Sequence, residues 1–393
     1  MASDVGNVPR LEDYHVSRKF GFLLEDPLTD LPEYFQPWMI LANNLEALVK
    51  NETIREKIHQ MPLLDHTRLA NHEERRLAQI ALSFMMQAYV WVFGEDGVPA
   101  VLPKQVAVPL AGVCEHLGIQ PSTTNMAYGL ANWKRKDPTK APDLENLEGI
   151  ITLIGGNEFS WLFMVYVAIE MDCGPGLGAM VDAQQAVKDN DPEKLAEALK
   201  TMELSLQNMT KTLSRMYEQC APEVFYKDIW PYFHGFNSDA FINKGLGGLI
   251  YEGVSPEPKQ FIGASFAQSS TIQSFDAALG VELGTLKTKV EETRGYMPPA
   301  HREFIIALWH GPSIKTYVES GNNKELQQLY NGCLEVLTQF RSCHIQMVVR
   351  YLIIFDGKKE VNPKFPNASS HFTEIMGFLK NLRDTTKPAG LLD

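Results

Sequence analysis

The stretch NKELQQLYNGCLEVLTQFRSCHIQMVVRYLIIF (residues 323–355) is the longest helical pattern in the sequence. One face of this pattern carries apolar and aromatic side chains together with a histidine: Leu337, Phe340, His344, Val348 and Tyr351. Their three- and four-residue spacing predicts a helix that packs into a core and places His344 on its buried side. A lone histidine on such a face is more often a satisfied core residue than a metal ligand. This stretch alone leaves both interpretations open.

Most of the remaining chain also repeats apolar residues at helical spacing. Further helices are predicted at residues 32–50, 72–93, 157–171, 191–219, 271–284 and 373–384. Asp191 followed by Pro192 is typical of a helix start. We therefore predict an all-α fold, with a large helical bundle and a smaller, mainly helical N-terminal domain.

Three stretches interrupt the helical pattern. The polar, proline-bearing residues 132–149 are the best candidate for a domain boundary, which gives a small domain over 1–149 and a large one over 150–393. Residues 233–270 are rich in glycine and serine and show little periodicity. Residues 356–372 are polar and punctuated by proline, which predicts a mobile surface loop.

Composition limits the possible partners and location. The formal net charge of −12 over 393 residues argues against a nucleic-acid partner. No apolar run approaches the about 18 residues that a membrane span needs. The N-terminus lacks the pattern of a secretory signal, and the five scattered cysteines fit reduced thiols, so we expect a cytoplasmic protein. The oligomeric state is left open.

Most familiar catalytic motifs are absent from the sequence: H-E-x-x-H, G-x-S-x-G, a P-loop and a Rossmann glycine motif. The glycines at 245–249 lack the strand-to-helix context of a phosphate loop. A haem site needs little more than one imidazole, an apolar slot and partners for the propionates. Arg341, three residues before His344, could reach a propionate. Alternatively, Arg341 is a boundary arginine whose stem covers apolar surface.

The sequence closely resembles the indoleamine 2,3-dioxygenase family over nearly its whole length. The resemblance is carried by MPLLDH (61–66), AYVW (88–91), LP and VAVPL (102–110), LANWKRKDP (130–138), IYEG (250–253), QSS and QSFD (268–276), RGYMPPAHREF (294–304) and RSCHIQ (341–346). It implies haem b (iron protoporphyrin IX) bound between helices of the large domain. It further implies that His344 is the proximal iron ligand and Arg341 a propionate partner.

The family's dioxygenases open the indole ring of tryptophan with haem-bound O2, and they hold the substrate carboxylate with an arginine. That arginine lies in the segment matching residues 224–236, at the position of Trp230 here. An indole ring cannot pair with a carboxylate and would fill volume that a substrate needs. The adjacent aromatic pair of the enzymes matches Phe225 and Tyr226.

Further distal positions differ from the enzymes in the same direction. Tyr166 matches a small serine, and Asn125 and Tyr128 match a distal tyrosine and a cysteine. Ser265 is retained, whereas Phe266 takes the place of a small residue. Together these differences fill and neutralise a substrate pocket and leave the haem ligands unchanged.

One branch of the family has this character, because gastropod molluscs use a related protein as a muscle myoglobin. The leading hypothesis is therefore a haem protein that binds O2 reversibly for storage, with no catalytic residue assigned. Tyr166, Tyr226 and Ser265 are the candidate hydroxyl donors to bound O2. One alternative is a tryptophan dioxygenase that holds the substrate carboxylate with other groups. Another is a haem-dependent sensor that uses the loop at 356–372.

Overall fold

The computed structural model of this protein describes residues 6–357, 362–367 and 372–387. Helices dominate this part of the chain, which confirms the predicted all-α class. The α-helices are α1 (Gln36–Ala42), α2 (Leu45–Lys50), α3 (Ile54–Gln60), α4 (His72–Trp91), α5 (Lys104–Leu117), α6 (Gly156–Asp189), α7 (Pro192–Ser214), α8 (Met216–Gln219), α9 (Pro222–Val224), α10 (Asp239–Ile242), α11 (Ser270–Ala278), α12 (Lys287–Arg294), α13 (Pro299–His310), α14 (Ile314–Ser320), α15 (Lys324–Val348), α16 (Ile354–Gly357) and α17 (Phe372–Thr386).

Shorter helical turns connect these elements. The 3-10 turns lie at Leu11–Tyr14, Glu33–Phe35, His66–Arg68, Glu95–Gly97, Leu144–Asn146, Trp230–Phe233, Phe266–Gln268 and Gly284–Leu286. Three π-helical turns lie at Met126–Leu130, Phe225–Ile229 and Val349–Ile353. The last of these continues α15 into α16, so the stretch quoted above is one nearly uninterrupted rod.

The predicted helix starts and ends follow the capping chemistry of the sequence. The Asp191 side chain accepts a hydrogen bond from the Lys194 amide, and Pro192 opens α7 as expected. The Asn323 side chain caps α15 by accepting from the amides of Glu325 and Leu326. The predicted helix at 32–50 is instead two helices, α1 and α2, with a break at residues 43–44.

Two small sheets are formed mainly by the stretches 132–149 and 233–270, where the helical periodicity is interrupted. In the first, β1 (Val101–Leu102) pairs in parallel with β4 (Leu249–Tyr251), which pairs antiparallel with β5 (Ser255–Lys259). In the second, β2 (Lys134–Arg135) pairs antiparallel with β3 (Leu147–Glu148). The region 233–270 is therefore partly a β-hairpin, and Gly253, with a φ of 77°, lies in its turn.

The hydrophobic core crosses the predicted domain boundary. Trp91 and Phe241, from opposite sides of residue 149, lie in one core cluster with ring centroids 6.0 Å apart. The pairing of β1 with β4 links the same two parts of the chain. The division at 149/150 stays a prediction.

Helix α6 is the central element of the large bundle and packs against α7. The two-residue link at 190–191 makes these helices antiparallel neighbours. Helix α6 has 34 residues and is, by length and composition, the one described helix that could cross a membrane. However, 78% of its most apolar window is buried inside the protein, as in the core helix of a soluble protein.

A buried ion pair joins three helices of the large bundle. Nη2 of Arg341 on α15 donates to both carboxylate oxygens of Asp276 on α11, at 2.8 and 2.7 Å. Nη1 of the same guanidinium donates to Leu382 O at 3.0 Å and to Thr386 Oγ1, both on α17. The side chains of Arg341 and Asp276 are only 8% and 4% exposed. This pair therefore fixes the position of α15 relative to α11 and α17.

Replacing Asp276 with Ala should destabilise the protein by about 3–5 kcal/mol, because the Arg341 charge would remain buried without its partner. The free energy of unfolding, measured by urea denaturation, tests this expectation. Lys289→Ala is the matched control, because Lys289 joins α12 to α17 through an exposed ion pair with Glu374. The control should cost no more than about 1 kcal/mol. Equal losses in the two variants would contradict a structural role for the buried pair.

Candidate functional site

His344 lies near the C-terminal end of α15 and is half-buried. Its ring makes an edge-to-face contact with Phe266, with the centroids 6.1 Å apart at 85°. No hydrogen bond joins the imidazole to any other residue in the described ranges. Burial lowers the pKa of His344 to about 4, so the ring is neutral near pH 7. A neutral imidazole offers a nitrogen lone pair to a metal.

The surroundings of His344 fit an iron porphyrin better than a bare metal ion. A bare ion needs three or four protein donors, and the described residues contain no group of three or more His, Cys, Asp or Glu side chains that could hold one. A haem iron already has four pyrrole nitrogens and needs only one or two axial ligands. The one neutral imidazole found here matches the single protein ligand that a haem iron needs, and the role of His344 as that ligand stays a prediction.

Three of the predicted site residues form a continuous path to His344. Asn125 Nδ2 donates to the Tyr166 hydroxyl at 2.6 Å. The Tyr166 ring lies 5.4 Å from the Phe266 ring, which in turn contacts His344. One aromatic ring, Phe266, thus contacts the imidazole, and Tyr166 packs against that ring.

Glu170 also belongs to this path, although the sequence analysis did not identify it. It is 1% exposed, lies one helical turn after Tyr166 on α6, and accepts hydrogen bonds from Thr271 Oγ1 at 2.6 Å and Ser269 Oγ at 3.3 Å. Burial raises the pKa of Tyr166 well above its ordinary value, and the Glu170 carboxylate raises it further by its charge and a hydrogen bond. The available signal was an acidic residue inside the apolar run FMVYVAIEM.

Ser265 has a different environment from the other predicted hydroxyl donors. Its Oγ accepts a hydrogen bond from the Ala267 amide at 3.2 Å and caps the 3-10 turn Phe266–Gln268. The residue is exposed, and its hydroxyl hydrogen is not engaged by another described residue. Ser265 is thus a donor that remains available, adjacent in sequence to the ring that contacts His344.

Trp230 lies in an aromatic cluster. Its ring contacts Phe225 at 6.3 Å, Phe233 at 6.3 Å, His234 at 5.4 Å and Phe372 at 6.0 Å, measured between centroids. Rings at these distances attract one another beyond the area they bury. The position that the resemblance associates with a substrate cation is therefore occupied by a packed indole ring.

The three remaining predicted site residues, Phe225, Tyr226 and Tyr128, each contact different neighbours. Phe225 contacts Tyr351 edge-on at 5.4 Å, which links this cluster to the rod that carries His344. The Tyr226 hydroxyl lies 3.5 Å from Asp356 Oδ1 on α16, so it is directed toward that helix. Tyr128 is fully buried and stacks on Phe163 at 4.6 Å. The roles predicted for these three residues at a haem stay predictions.

The alternative interpretation of Arg341 as a boundary arginine is wrong. It is not a boundary arginine, because it is 7% exposed and both Nη nitrogens donate to protein acceptors on α11 and α17. Only Nε remains as a donor that a haem propionate could use. The propionate contact stays a prediction, whereas the structural role is visible in the ion pair with Asp276.

The three π-helical turns coincide with the predicted site. Met126–Leu130 follows Asn125 and contains Tyr128, and Phe225–Ile229 begins with the aromatic pair. The third, Val349–Ile353, begins five residues after His344. Isolated π turns are frequent at functional sites, because they rotate side chains out of the regular helical register. Their positions support a single functional region.

Comparison with known proteins agrees with this geometry. The indoleamine 2,3-dioxygenase family pattern matches residues 10–389. The chain is 37% identical to indoleamine 2,3-dioxygenase 2 of Homo sapiens, with 96% of this chain and 94% of that protein covered. It is 36% identical to a myoglobin of Haliotis madaka (96% and 98% covered) and 34% identical to indoleamine 2,3-dioxygenase 1 of Rattus norvegicus (96% and 95% covered). The chain belongs to the indoleamine 2,3-dioxygenase family.

Proposed function

We propose that this protein holds haem b through His344 and binds O2 reversibly, as an oxygen-storage protein of the myoglobin type. The proposal is supported by the packing of aromatic side chains at the positions that the resemblance associates with a tryptophan substrate and its carboxylate partner. Trp230, at the position that the resemblance associates with the cation, lies in a packed cluster, and Phe266 contacts His344 with Tyr166 packed behind it. Relatives named myoglobin and relatives named dioxygenase are about equally similar to this chain, so overall identity does not favour either function. The choice of oxygen binding therefore rests on these site residues.

The protein's own groups suit oxygen binding. When bound, the haem would be held by His344 and would supply the iron that binds O2. The buried Tyr166 ring would keep water away from the metal, with the 37% exposed Phe266 as a partial cover, and exclusion of water slows oxidation of the iron. The Ser265 hydroxyl would donate a hydrogen bond to the partial negative charge of bound O2. The Asn125 amide would hold the Tyr166 hydroxyl in place.

Tryptophan dioxygenation is the second candidate function. The similarity to relatives named indoleamine 2,3-dioxygenase favours it, and groups other than arginine could hold the substrate carboxylate. The sensor hypothesis depends on residues 356–372, of which 358–361 and 368–371 lie outside the described residues.

His344→Ala should abolish most haem retention, because the variant loses its axial nitrogen donor. The Soret absorbance relative to protein absorbance measures the loss. Cys343→Ala is the matched control, since Cys343 is the adjacent residue on the same helix and burial raises the pKa of its thiol. The control should keep the parental spectrum. An unchanged histidine-type spectrum in His344→Ala would show that His344 is not the haem ligand.

Ser265→Ala should weaken oxygen affinity by about 2- to 12-fold, the equivalent of a hydrogen bond worth about 0.5–1.5 kcal/mol. The oxygen dissociation rate, measured by stopped-flow spectroscopy, should rise correspondingly. Ser313→Ala is a suitable control, because Ser313 also caps a helix but lies on α14. An oxygen dissociation rate that does not differ between these variants would argue against Ser265 as the donor.

Added tryptophan should leave the spectrum and decay of the oxygenated parent protein unchanged. Trp230→Arg alone should not produce an efficient enzyme, because Tyr166 and Phe266 still crowd the site and reactive geometry tolerates errors of only about 1 Å. The double variant Trp230→Arg with Tyr166→Ser should be the first to bind or convert tryptophan measurably.

The assay for this prediction follows the formylated ring-opened product. Trp309→Arg provides a control for the added charge, because Trp309 is a partly exposed tryptophan on α13. Rapid conversion of tryptophan by the unmodified protein would overturn the oxygen-storage proposal and favour the dioxygenase.

A further inference from the structure

Three buried polar side chains on α4 and α13 have atoms without a hydrogen-bond partner in the described part of the chain. They are Nε and Nη2 of Arg76, both amide atoms of Gln79, and Nδ1 of His301. Arg76 is 5% exposed, Gln79 0% and His301 3%. Because Arg76 and Gln79 are three residues apart, they lie on the same face of α4. Buried polar groups are nearly always satisfied in proteins, so this cluster indicates a missing occupant.

The charge of the cluster indicates what that occupant is. Arg76 forms no ion pair with a carboxylate of the described residues, and burial lowers its pKa only to about 10, so it stays protonated near pH 7. Burial, followed by the charges of Arg76, His15 and His72, lowers the pKa of His301 well below its ordinary value. An isolated buried cation is costly unless it is paired. The missing partner should therefore carry negative charge.

Two exposed histidines lie near the N-terminal end of α4. His15 and His72 are exposed, and their ring centroids lie 6.3 Å apart. His72 is the first residue of the 20-residue helix α4, whose N-terminus favours negative charge. Glu73 and Arg75 are the other charged groups that act on His72, and they offset each other in sign.

We propose that Arg76, Gln79 and His301 form a binding site for a small inorganic anion such as chloride or phosphate. The Arg76 guanidinium provides charge-assisted hydrogen bonds, and the Gln79 amide and the His301 ring provide neutral donors. The Gln79 carbonyl oxygen needs a donor of its own, which a co-bound water supplies. This site is separate from the residues assigned to haem.

Anion exchange at constant ionic strength and pH tests the proposal. The thermal unfolding midpoint of the full-length protein is measured in sodium gluconate, whose anion is too large for the site, and in sodium chloride or sodium phosphate. The midpoint should rise by about 1–3 °C at an anion concentration near ten times the dissociation constant. The separate chloride and phosphate series show which anion binds. Identical midpoints in all salts would mean that only water fills the cluster, and would overturn the proposal.

Two variants locate the effect. Arg76→Met removes the buried charge and should abolish the dependence on the anion. In gluconate it should be at least as stable as the parent, because an unpaired buried charge is gone. Arg75→Met makes the same charge change at a half-buried neighbour that donates to Leu69 O, and it should keep the dependence. A dependence that survives Arg76→Met would place the anion elsewhere and refute this site.

A direct measurement does not depend on how the variants fold. Crystals of the unmodified protein soaked in sodium bromide should show an anomalous scattering peak beside the Arg76 guanidinium. Well-ordered crystals without such a peak would refute a halide site, and phosphate would then have to account for any shift seen in solution. With neither a peak nor a shift, the proposal fails.

Discussion

The pairing of Arg341 with Asp276 is the constraint on which the geometry of the large bundle depends. Two charges taken out of water must satisfy each other, and here the guanidinium also binds α17 through Leu382 and Thr386. His344 is three residues further along the same helix. A shift of α15 along its axis would break this pairing, so the imidazole is held at a fixed position relative to α11 and α17.

A second group of buried hydrogen bonds lies around Tyr166, whose ring packs against Phe266. Asn125, which precedes a π turn, donates to the Tyr166 hydroxyl on α6. Thr271 on α11 donates to Glu170, which lies one turn after Tyr166 on α6. Since α11 also carries Asp276, one nine-residue helix connects both networks. The two faces of the site are therefore coupled through α11.

The fold was largely predictable from sequence because amphipathic periodicity and capping are local properties. The pattern at 323–355 and the Asp191–Pro192 start correspond to α15 and α7. The hairpin of β4 and β5 was missed because strands of three and five residues with proline and glycine show no clear alternation. Spacing alone placed His344 on the packed face of its helix, and its predicted role as a ligand came from the resemblance. Glu170 and the Asp276 partner of Arg341 could not, because long-range hydrogen bonds leave no periodic trace in the sequence.

The hydrogen bonding of Tyr166 has a consequence for how activities can interchange within this family. A serine at this position would leave the buried Asn125 amide without its partner, at a cost of about 1–3 kcal/mol, and would remove the ring that packs against Phe266. Folded proteins have only about 5–15 kcal/mol of stability in total. A lineage that moved between a closed and an open pocket would therefore have to change several of these residues together or acquire compensating stability first. Evolution at this site should be strongly epistatic, with the order of substitutions deciding which paths remain folded.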